Sequence, residues 1–158
     1  MQLRKAIMDD AGFILDMRND EKTRENSFNK DIISFDSHIK WFEKKLSDPN
    51  CRMLIMMDGE ARVGSIRLDI TGDNGEFGEI SYMIAPDKRG KGYGKAILNL
   101  ICDYVSVEEE CNSVKVLAGF VKQENKASIR CFTENGFAEL VAGDINCFLK
   151  TVRKIIDL

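Results

Sequence analysis

The 158-residue sequence has one histidine, two prolines and no C-x-x-C pair. A lone His38 makes a histidine-based metal site improbable, and the five cysteines have neither the even number of a disulfide framework nor the spacing of a zinc site. These cysteines are Cys51, Cys102, Cys111, Cys131 and Cys147. We therefore expect no metal, and reduced thiols in a cytoplasmic protein.

The sequence also lacks long apolar runs and a basic charge excess. No 18 consecutive residues are apolar, and no apolar stretch follows the basic residues near the N-terminus, so we expect no membrane span and no signal peptide. The net charge is -3 and the pI about 5.3, which argues against a nucleic-acid partner. The length and the 44% apolar content favour a single globular domain over residues 1–158.

Hydrophobic periodicity predicts an α/β fold, with a mixed sheet and helices on its faces, in the order β-α-α-β-β-β-α-β-α-β-β. The predicted strands cover residues 3–7, 52–57, 62–70, 77–84 and 114–121, with two more within 138–155. The predicted helices cover residues 11–17, 34–47, 96–107 and 125–135. The polar segment 18–32 has no clear period and is expected to be a loop or a frayed helix.

A glycine-rich turn, IAPDKRGKGYGK over residues 84–95, lies between a predicted strand and a predicted helix. Its main-chain N–H groups, the helix N-terminus and four basic side chains together predict a diphosphate-binding loop. A P-loop is excluded because Ala96 replaces the Ser or Thr that would bind magnesium. A Rossmann motif is excluded because Lys95 stands in place of the third glycine.

The spacing Arg89-x-x-Gly92-x-Gly94 resembles the Q/R-x-x-G-x-G/A motif of the GNAT superfamily of acetyl-CoA-dependent N-acetyltransferases. A second segment, NKASIRCFTENGF over residues 125–137, is similar to the Asn-initiated helix and G-F pair of the same superfamily. The resemblance implies a GNAT fold whose fourth and fifth strands splay around acetyl-CoA. It also implies cofactor contacts from Met83, Ile84, Arg89, Gly90, Lys91, Gly92, Tyr93, Gly94, Lys95, Asn125, Ser128 and Phe132.

The resemblance further implies that a neutral amine attacks the thioester directly, with a base to accept the ammonium proton and main-chain N–H groups to stabilise the oxyanion. Glu79 is the first candidate for the base, and Glu76 and His38 are alternatives. Phe132 stands where the superfamily usually has a tyrosine that acts as general acid. For departure of the thiolate we therefore expect either water as the acid or no general acid. The neighbouring Cys131 is expected to point elsewhere.

The acceptor is a small amine whose identity the sequence leaves open. The region 18–42 resembles that of enzymes that N-acetylate nucleotide-linked amino sugars in the pseudaminic acid pathway. In this interpretation Arg18 and Arg24 meet a diphosphate. The expected substrate contacts are Arg18, Asn19, Arg24, Asn26 and His38. The alternatives are a ribosomal-protein-type peptide N-terminal or lysine acetyltransferase, and a non-catalytic CoA-binding module. By resemblance, a homodimer through the C-terminal strands is possible.

Overall fold

The computed structural model describes residues 1–152, which contain a seven-stranded sheet and five α-helices. The strands are β1 (Gln2–Lys5), β2 (Cys51–Asp58), β3 (Ala61–Thr71), β4 (Phe77–Ile84), β5 (Val116–Lys122), β6 (Ala138–Ala142) and β7 (Ile145–Thr151). The helices are α1 (Ala11–Asn19), α2 (Glu21–Asn26), α3 (Phe35–Ser47), α4 (Tyr93–Val107) and α5 (Lys126–Glu134). No helix in this part of the chain is long and apolar enough to cross a membrane.

The sheet has the order β1-β2-β3-β4-β5-β7-β6 and is mixed. β2 to β4 form an antiparallel meander that β1 extends by pairing antiparallel with β2. β4 and β5 run parallel, and β5, β7 and β6 return to antiparallel pairing. The mixed α/β architecture predicted from the periodicity is therefore confirmed. The predicted last strand extends to residue 155, and its part beyond residue 152 lies outside the described residues.

Helices cover both faces of the sheet. α4 packs its buried residues, such as Ile97 and Ile101, against one face, and α1 and α3 pack Ile14 and Phe42 against the other. β2 lies between these two layers, so its central residues are buried on both faces. This is why residues 53–57 are continuously apolar instead of alternating with polar residues.

Two helices differ from the prediction. α2 was expected to be loop or frayed helix, but Asp20 caps it by accepting a hydrogen bond from the Thr23 N–H at 3.2 Å. α2 buries none of its residues, so it has no apolar period to detect. α4 begins at Tyr93, three residues earlier than predicted, because Gly92 adopts the left-handed conformation (φ 84°) and serves as the N-cap.

A buried carboxylate joins the N-terminal strand to the meander. Asp10 is 1% exposed and accepts hydrogen bonds from Arg4 at 2.8 and 2.9 Å, from the Ile7 N–H at 2.9 Å and from Arg62 at 3.2 Å. Burial works to raise the pKa of Asp10, but these hydrogen bonds outweigh it and lower the pKa to about 2. The ionised carboxylate is therefore part of the folded structure.

We expect Asp10→Asn to lower the free energy of unfolding by roughly 2 kcal/mol at neutral pH. A depressed pKa stabilises the fold above the unfolded value of about 3.9, and this contribution is lost as the pH falls towards 2. Urea unfolding at about pH 7 and at about pH 3 should therefore show a smaller difference between wild type and variant in acid. Asp9→Asn, at the exposed neighbouring position, is the control. A difference that is independent of pH would contradict this role.

Candidate active site

β4 and β5 separate after a short paired stretch. They are paired at Phe77–Val116, Gly78–Leu117 and Glu79–Ala118, and no further. Beyond these residues β4 stays with β3 to Ile84, and β5 stays with β7 to Lys122. The result is a V-shaped opening, with its apex at Glu79, in which main-chain N–H and C=O groups lack a partner strand across the gap. Such groups can bind the amides of an extended ligand.

The glycine-rich turn lies at the wide end of this opening. Gly90 and Gly92 have φ of 73° and 84°, which L side chains rarely adopt. A Cβ atom on either would meet no protein atom within 4 Å, so both face open space. Gly92 directly precedes the first turn of α4, whose N–H groups have no partner within the helix. This geometry fits a diphosphate.

The basic side chains of the turn have separate uses. Arg89 donates to Asp20 at 2.7 Å and to the Thr23 hydroxyl at 2.8 Å, so its guanidinium binds the α2 segment. Lys91 is exposed and has no partner among residues 1–152, and Lys95 lies 3.4 Å from Glu134. A cavity of about 460 Å³ adjoins Gly92 and is lined by Lys95 and Lys150, among others. Positive charge for a phosphate ligand therefore comes from lysines and the α4 terminus.

The Tyr93 side chain is held by the β2–β3 hairpin, so this residue offers its main-chain groups to the turn. Its hydroxyl donates to Asp58 at 2.5 Å, which ties the start of α4 to the β2–β3 hairpin. This hydrogen bond raises the pKa of Tyr93. Gly94 follows in the first turn of α4, and its Cα lies against α5. The predicted residues 89–95 therefore form one continuous loop and helix start.

The start of α5 lies on the other side of the opening. Asn125 caps α5, with its Oδ1 accepting from the Ser128 N–H at 3.2 Å. The hydroxyl of Tyr82, on β4, donates to the Ser128 Oγ at 3.1 Å and so spans the gap between the two sides. Met83 and Ile84 complete β4 and are half-buried. The structure thus brings the predicted residues of β4, the turn and α5 around one opening.

Phe132 lies in the core instead of in the opening. It is 2% exposed, stacks on Phe148 with ring centroids 4.9 Å apart, and meets Phe137 edge-on at 5.0 Å. Its ring also covers Gly119, where a Cβ would overlap it. The expectation for Cys131 was wrong, since its thiol faces Gly94 and Tyr82. Successive helical residues differ by about 100° in direction, so turning Phe132 inward turns Cys131 towards the opening.

Only one of the three candidate bases lies at the opening. Glu79 is at its apex, exposed, and without a hydrogen-bond or ion-pair partner among residues 1–152. Glu76 lies at the closed end of the β4–β5 pair, where main-chain N–H groups of Glu76 itself and of Asn74 bind its carboxylate and lower its pKa. His38 is 2% exposed and bonded to the Ala11 carbonyl at 2.9 Å, and burial lowers its pKa.

The predicted acceptor residues mostly hold their own segment together. Arg18 binds the Asn29 carbonyl at 2.7 Å, and its Nη1 is buried without a partner in the described part of the chain. Arg24 binds the Asn19 and Lys30 carbonyls at 3.2 and 3.4 Å. The Asn19 amide exchanges two hydrogen bonds with the main chain of residue 33. These contacts occupy part of each guanidinium group, and the binding of a diphosphate by Arg18 and Arg24 stays a prediction. Asn26 ends α2 and is half-buried, and His38 lies in the core.

The segment 20–28 contacts both sides of the opening. At one side Asp20 and Thr23 bind Arg89, which follows β4. At the other, Lys122 at the end of β5 donates to the Glu25 carbonyl at 3.2 Å and lies 5.9 Å from the Phe28 ring centroid. The segment therefore covers the mouth of the opening on the α1–α3 side.

Sequence reasoning missed Tyr82 and Lys122. Alternation along β4 does place residues 78, 80 and 82 on one face, so the sequence indicates that Tyr82 points towards α4 and α5. Nothing in the sequence indicates that Lys122 meets residues almost 100 positions earlier.

Comparison with known proteins agrees with this geometry. A family model described as an acetyltransferase (GNAT) domain matches residues 1–138. The chain belongs to the GNAT acetyltransferase family. It is therefore an acyltransferase that uses acetyl-CoA, and the predicted cofactor is confirmed.

Several individual proteins are similar to this GNAT chain. Spermidine N(1)-acetyltransferase from Vibrio cholerae serotype O1 is 24% identical over 140 residues, which cover 88% of this chain and 79% of that protein. The crystal structure of spermidine N-acetyltransferase from Vibrio cholerae with CoA and spermine has a TM-score of 0.83 at 22% identity, covering 96% of this chain and 95% of that one. Aminoglycoside acetyltransferase AAC(6')-Ib with coenzyme A has a TM-score of 0.76 at 15% identity, covering 95% and 94%.

Proposed function

We propose that this N-acetyltransferase transfers the acetyl group to a primary amine of a multiply charged cation, such as a polyamine or an aminoglycoside. The observation that carries this proposal is the charge on the acceptor side. A cavity of about 400 Å³ between α1 and the end of β4 is lined by Asp16, Asp20 and Asp87, with no basic side chain among its described lining residues. Asp20 is paired with Arg89 and Asp87 lies 3.6 Å from Lys88, whereas Asp16 has no ion-pair partner in the described part of the chain. Negative charge around a binding site attracts cations and repels a diphosphate.

The names of the relatives support the same class of acceptor. One is named for spermidine and was crystallised with spermine, and another is named for aminoglycosides. Each of these compounds carries several ammonium groups at neutral pH. The nucleotide-linked amino sugar finds less support, because Arg18 and Arg24, which were expected to bind its diphosphate, bind main-chain carbonyls with part of their guanidinium groups.

We assign the following roles to the residues around the opening. Glu79 accepts the proton of the attacking amine, directly or through a water molecule. The main chains of Met83 and Ile84 bind pantetheine, and the N–H groups of residues 89–95 bind the pyrophosphate, with Lys91 adding charge. Asn125 and Ser128 lie at the thioester end. Residues 1–158 act as a single domain, and association through the C-terminal strands into a homodimer stays a prediction.

Release of free thiol from acetyl-CoA with four acceptor sets tests this proposal. The sets are polyamines, aminoglycosides, UDP-linked 4-amino sugars, and peptides that offer an N-terminal amine or a lysine. We expect turnover on the first or second set. Turnover on the sugars alone or on the peptides alone would reject the cationic acceptor and support the corresponding alternative. Acetyl-CoA binding without turnover on any set would support the non-catalytic alternative.

The double variant Asp16→Asn with Asp87→Asn tests the acidic cavity directly. Because each exposed charge contributes up to about 1 kcal/mol, we expect KM for the cationic acceptor to rise about three- to tenfold, with kcat little changed. Steady-state kinetics at fixed ionic strength measure both. Asp103→Asn removes an exposed charge from α4, away from this cavity, and should leave KM unchanged. An unaltered KM in the double variant would show that the cavity does not bind the acceptor.

A further inference from the structure

Three protic side chains meet on the α4–α5 side of the opening. They are Tyr82 of β4 and Ser128 and Cys131 of α5. The first turn of α4 lies against them, since a Cβ on Gly94 would stand 2.9 Å from the Cys131 sulfur and 3.7 Å from the Tyr82 hydroxyl. The cluster is thus next to unpaired helix N–H groups and to the unpaired edges of β4 and β5.

The hydrogen bonds of this cluster can leave the Ser128 hydroxyl hydrogen for a ligand. The Asn125 side chain accepts from the Ser128 N–H and fixes the first turn of α5. Tyr82 can donate its only hydroxyl hydrogen to the Ser128 oxygen, which lies 3.1 Å away, or to the Cys131 thiol, which is its other hydrogen-bond partner. A serine hydroxyl that accepts one hydrogen bond keeps its own hydrogen for another acceptor. In residues 1–152 the Ser128 hydroxyl has Tyr82 as its side-chain partner, so when Tyr82 is the donor the Ser128 hydrogen is available to a ligand.

We propose that Ser128 donates a hydrogen bond to the departing sulfur of CoA, and that Tyr82 positions the Ser128 hydroxyl for this task. Ser128 is then a catalytic residue and Tyr82 a positioning residue. The pair supplies a donor at the leaving group, where the sequence predicted water or no acid. The proposal rests on the acetyltransferase activity and not on the identity of the acceptor.

Departure of the CoA sulfur needs a hydrogen-bond donor, but Ser128 does not have to give up its proton. The amine nitrogen forms a bond to the carbonyl carbon, the C–S bond breaks, and the electron pair leaves on sulfur. The surplus proton of the amine passes to the base, and the thiolate later takes a proton from water. A thiol has a pKa near 8.5, so a thiolate forms readily near neutral pH, and a hydrogen bond that strengthens with its charge lowers the barrier.

The surroundings keep the cluster neutral. Burial raises the pKa of the Tyr82 hydroxyl and that of the Cys131 thiol. Tyr82 therefore stays protonated at neutral pH and keeps the hydrogen that it can donate to Ser128. The Phe132 ring, whose centroid is 6.1 Å from that of Tyr82, closes the apolar side of the cluster. A donor held in an apolar environment is stronger than one in water.

Binding of CoA and of desulfo-CoA, in which hydrogen replaces the thiol, tests the proposal without any acceptor. We expect calorimetry above the thiol pKa to show CoA binding about tenfold tighter than desulfo-CoA in the wild type. The ratio of the affinity for CoA to that for desulfo-CoA should fall to near one in Ser128→Ala and fall in part in Tyr82→Phe. In Ser128→Thr it should return to the wild-type value. Tyr104→Phe removes a hydroxyl bonded to Glu110, outside the opening, and should keep the wild-type ratio.

Kinetics and stability complete the test. With an active acceptor, Ser128→Ala should lower kcat by about 10²-fold while KM for acetyl-CoA changes less than about threefold. Equal ratios in wild type, Ser128→Ala and Tyr82→Phe would overturn the proposal. Equal weakening of both ligands together with a lower thermal midpoint would also overturn it, because that is the pattern of a structural role. If no acceptor is found, the ratio still decides this proposal, so its failure is separate from that of the proposed acceptor.

Discussion

Replacement of Gly92 by valine is expected to reduce the affinity for CoA at least about 10²-fold, which removes turnover at ordinary acetyl-CoA concentrations. Gly92 has a φ of 84° and is the N-cap of α4. A side chain there costs about 1–2 kcal/mol in backbone strain. It would also project into open space directly before the free N–H groups of Tyr93 and Gly94, where the phosphate oxygens must approach.

Gly143→Val provides a matched control for the backbone strain. Gly143 has a φ of 63°, faces open space, and lies in the β6–β7 hairpin away from α4. Both variants should lose similar stability in thermal unfolding, whereas only Gly92→Val should lose CoA binding in calorimetry. Wild-type affinity in Gly92→Val, or equal losses of affinity in the two variants, would show that the turn does not bind the cofactor.

The contrast between these glycines shows what could be predicted from the sequence. Gly92 belongs to a short motif between a strand and a helix, and both flanking elements have strong hydrophobic periods. A local motif with such neighbours determines its own geometry, because helix N-termini and tight turns depend on a few adjacent residues. The conformation of the glycine-rich turn was therefore predictable, except for the first turn of α4, which was missed.

Side-chain direction within α5 was harder to predict. The sequence shows Cys131 and Phe132 as neighbours, and either could face the opening. The large Phe132 ring turns inward because Phe137, Phe148 and the bare Gly119 together form a site that fits it. β7 and β5 supply part of that site, so the outcome depends on packing between elements that are distant in sequence.

Ion pairs between residues far apart in the sequence could not be predicted, for the same reason. Arg89 pairs with Asp20, 69 residues earlier in the sequence. This contact holds the Arg89 side chain against the start of α2. The burial of His38 could be predicted, because this residue lies four positions before Phe42 on the same helical face and is buried with it. Its core position follows from the apolar period of α3, and this interpretation takes precedence over a substrate role.

Glu79→Gln is expected to lower kcat by about 10²–10⁴-fold near neutral pH, with KM for acetyl-CoA unchanged. Glutamine has nearly the same shape, and Glu79 is exposed on a strand whose main chain stays paired with Asp69 and Ala118. Stability should therefore change by no more than about 0.5 kcal/mol. The loss would then report on proton transfer at the apex of the opening.

The pH profile of this variant separates a base from a simple binding group. Without a base, only amine that is already neutral reacts, so the rate should rise about tenfold per pH unit until the acceptor approaches its own pKa, near 10 for an alkylamine. The deficit relative to wild type is then largest at low pH. Glu76→Gln, at the closed end of the same strand, should keep the wild-type profile. A Glu79→Gln profile parallel to that of the wild type would show that Glu79 is not the base. Solvent would then accept the ammonium proton, because neither His38 nor Glu76 reaches the opening.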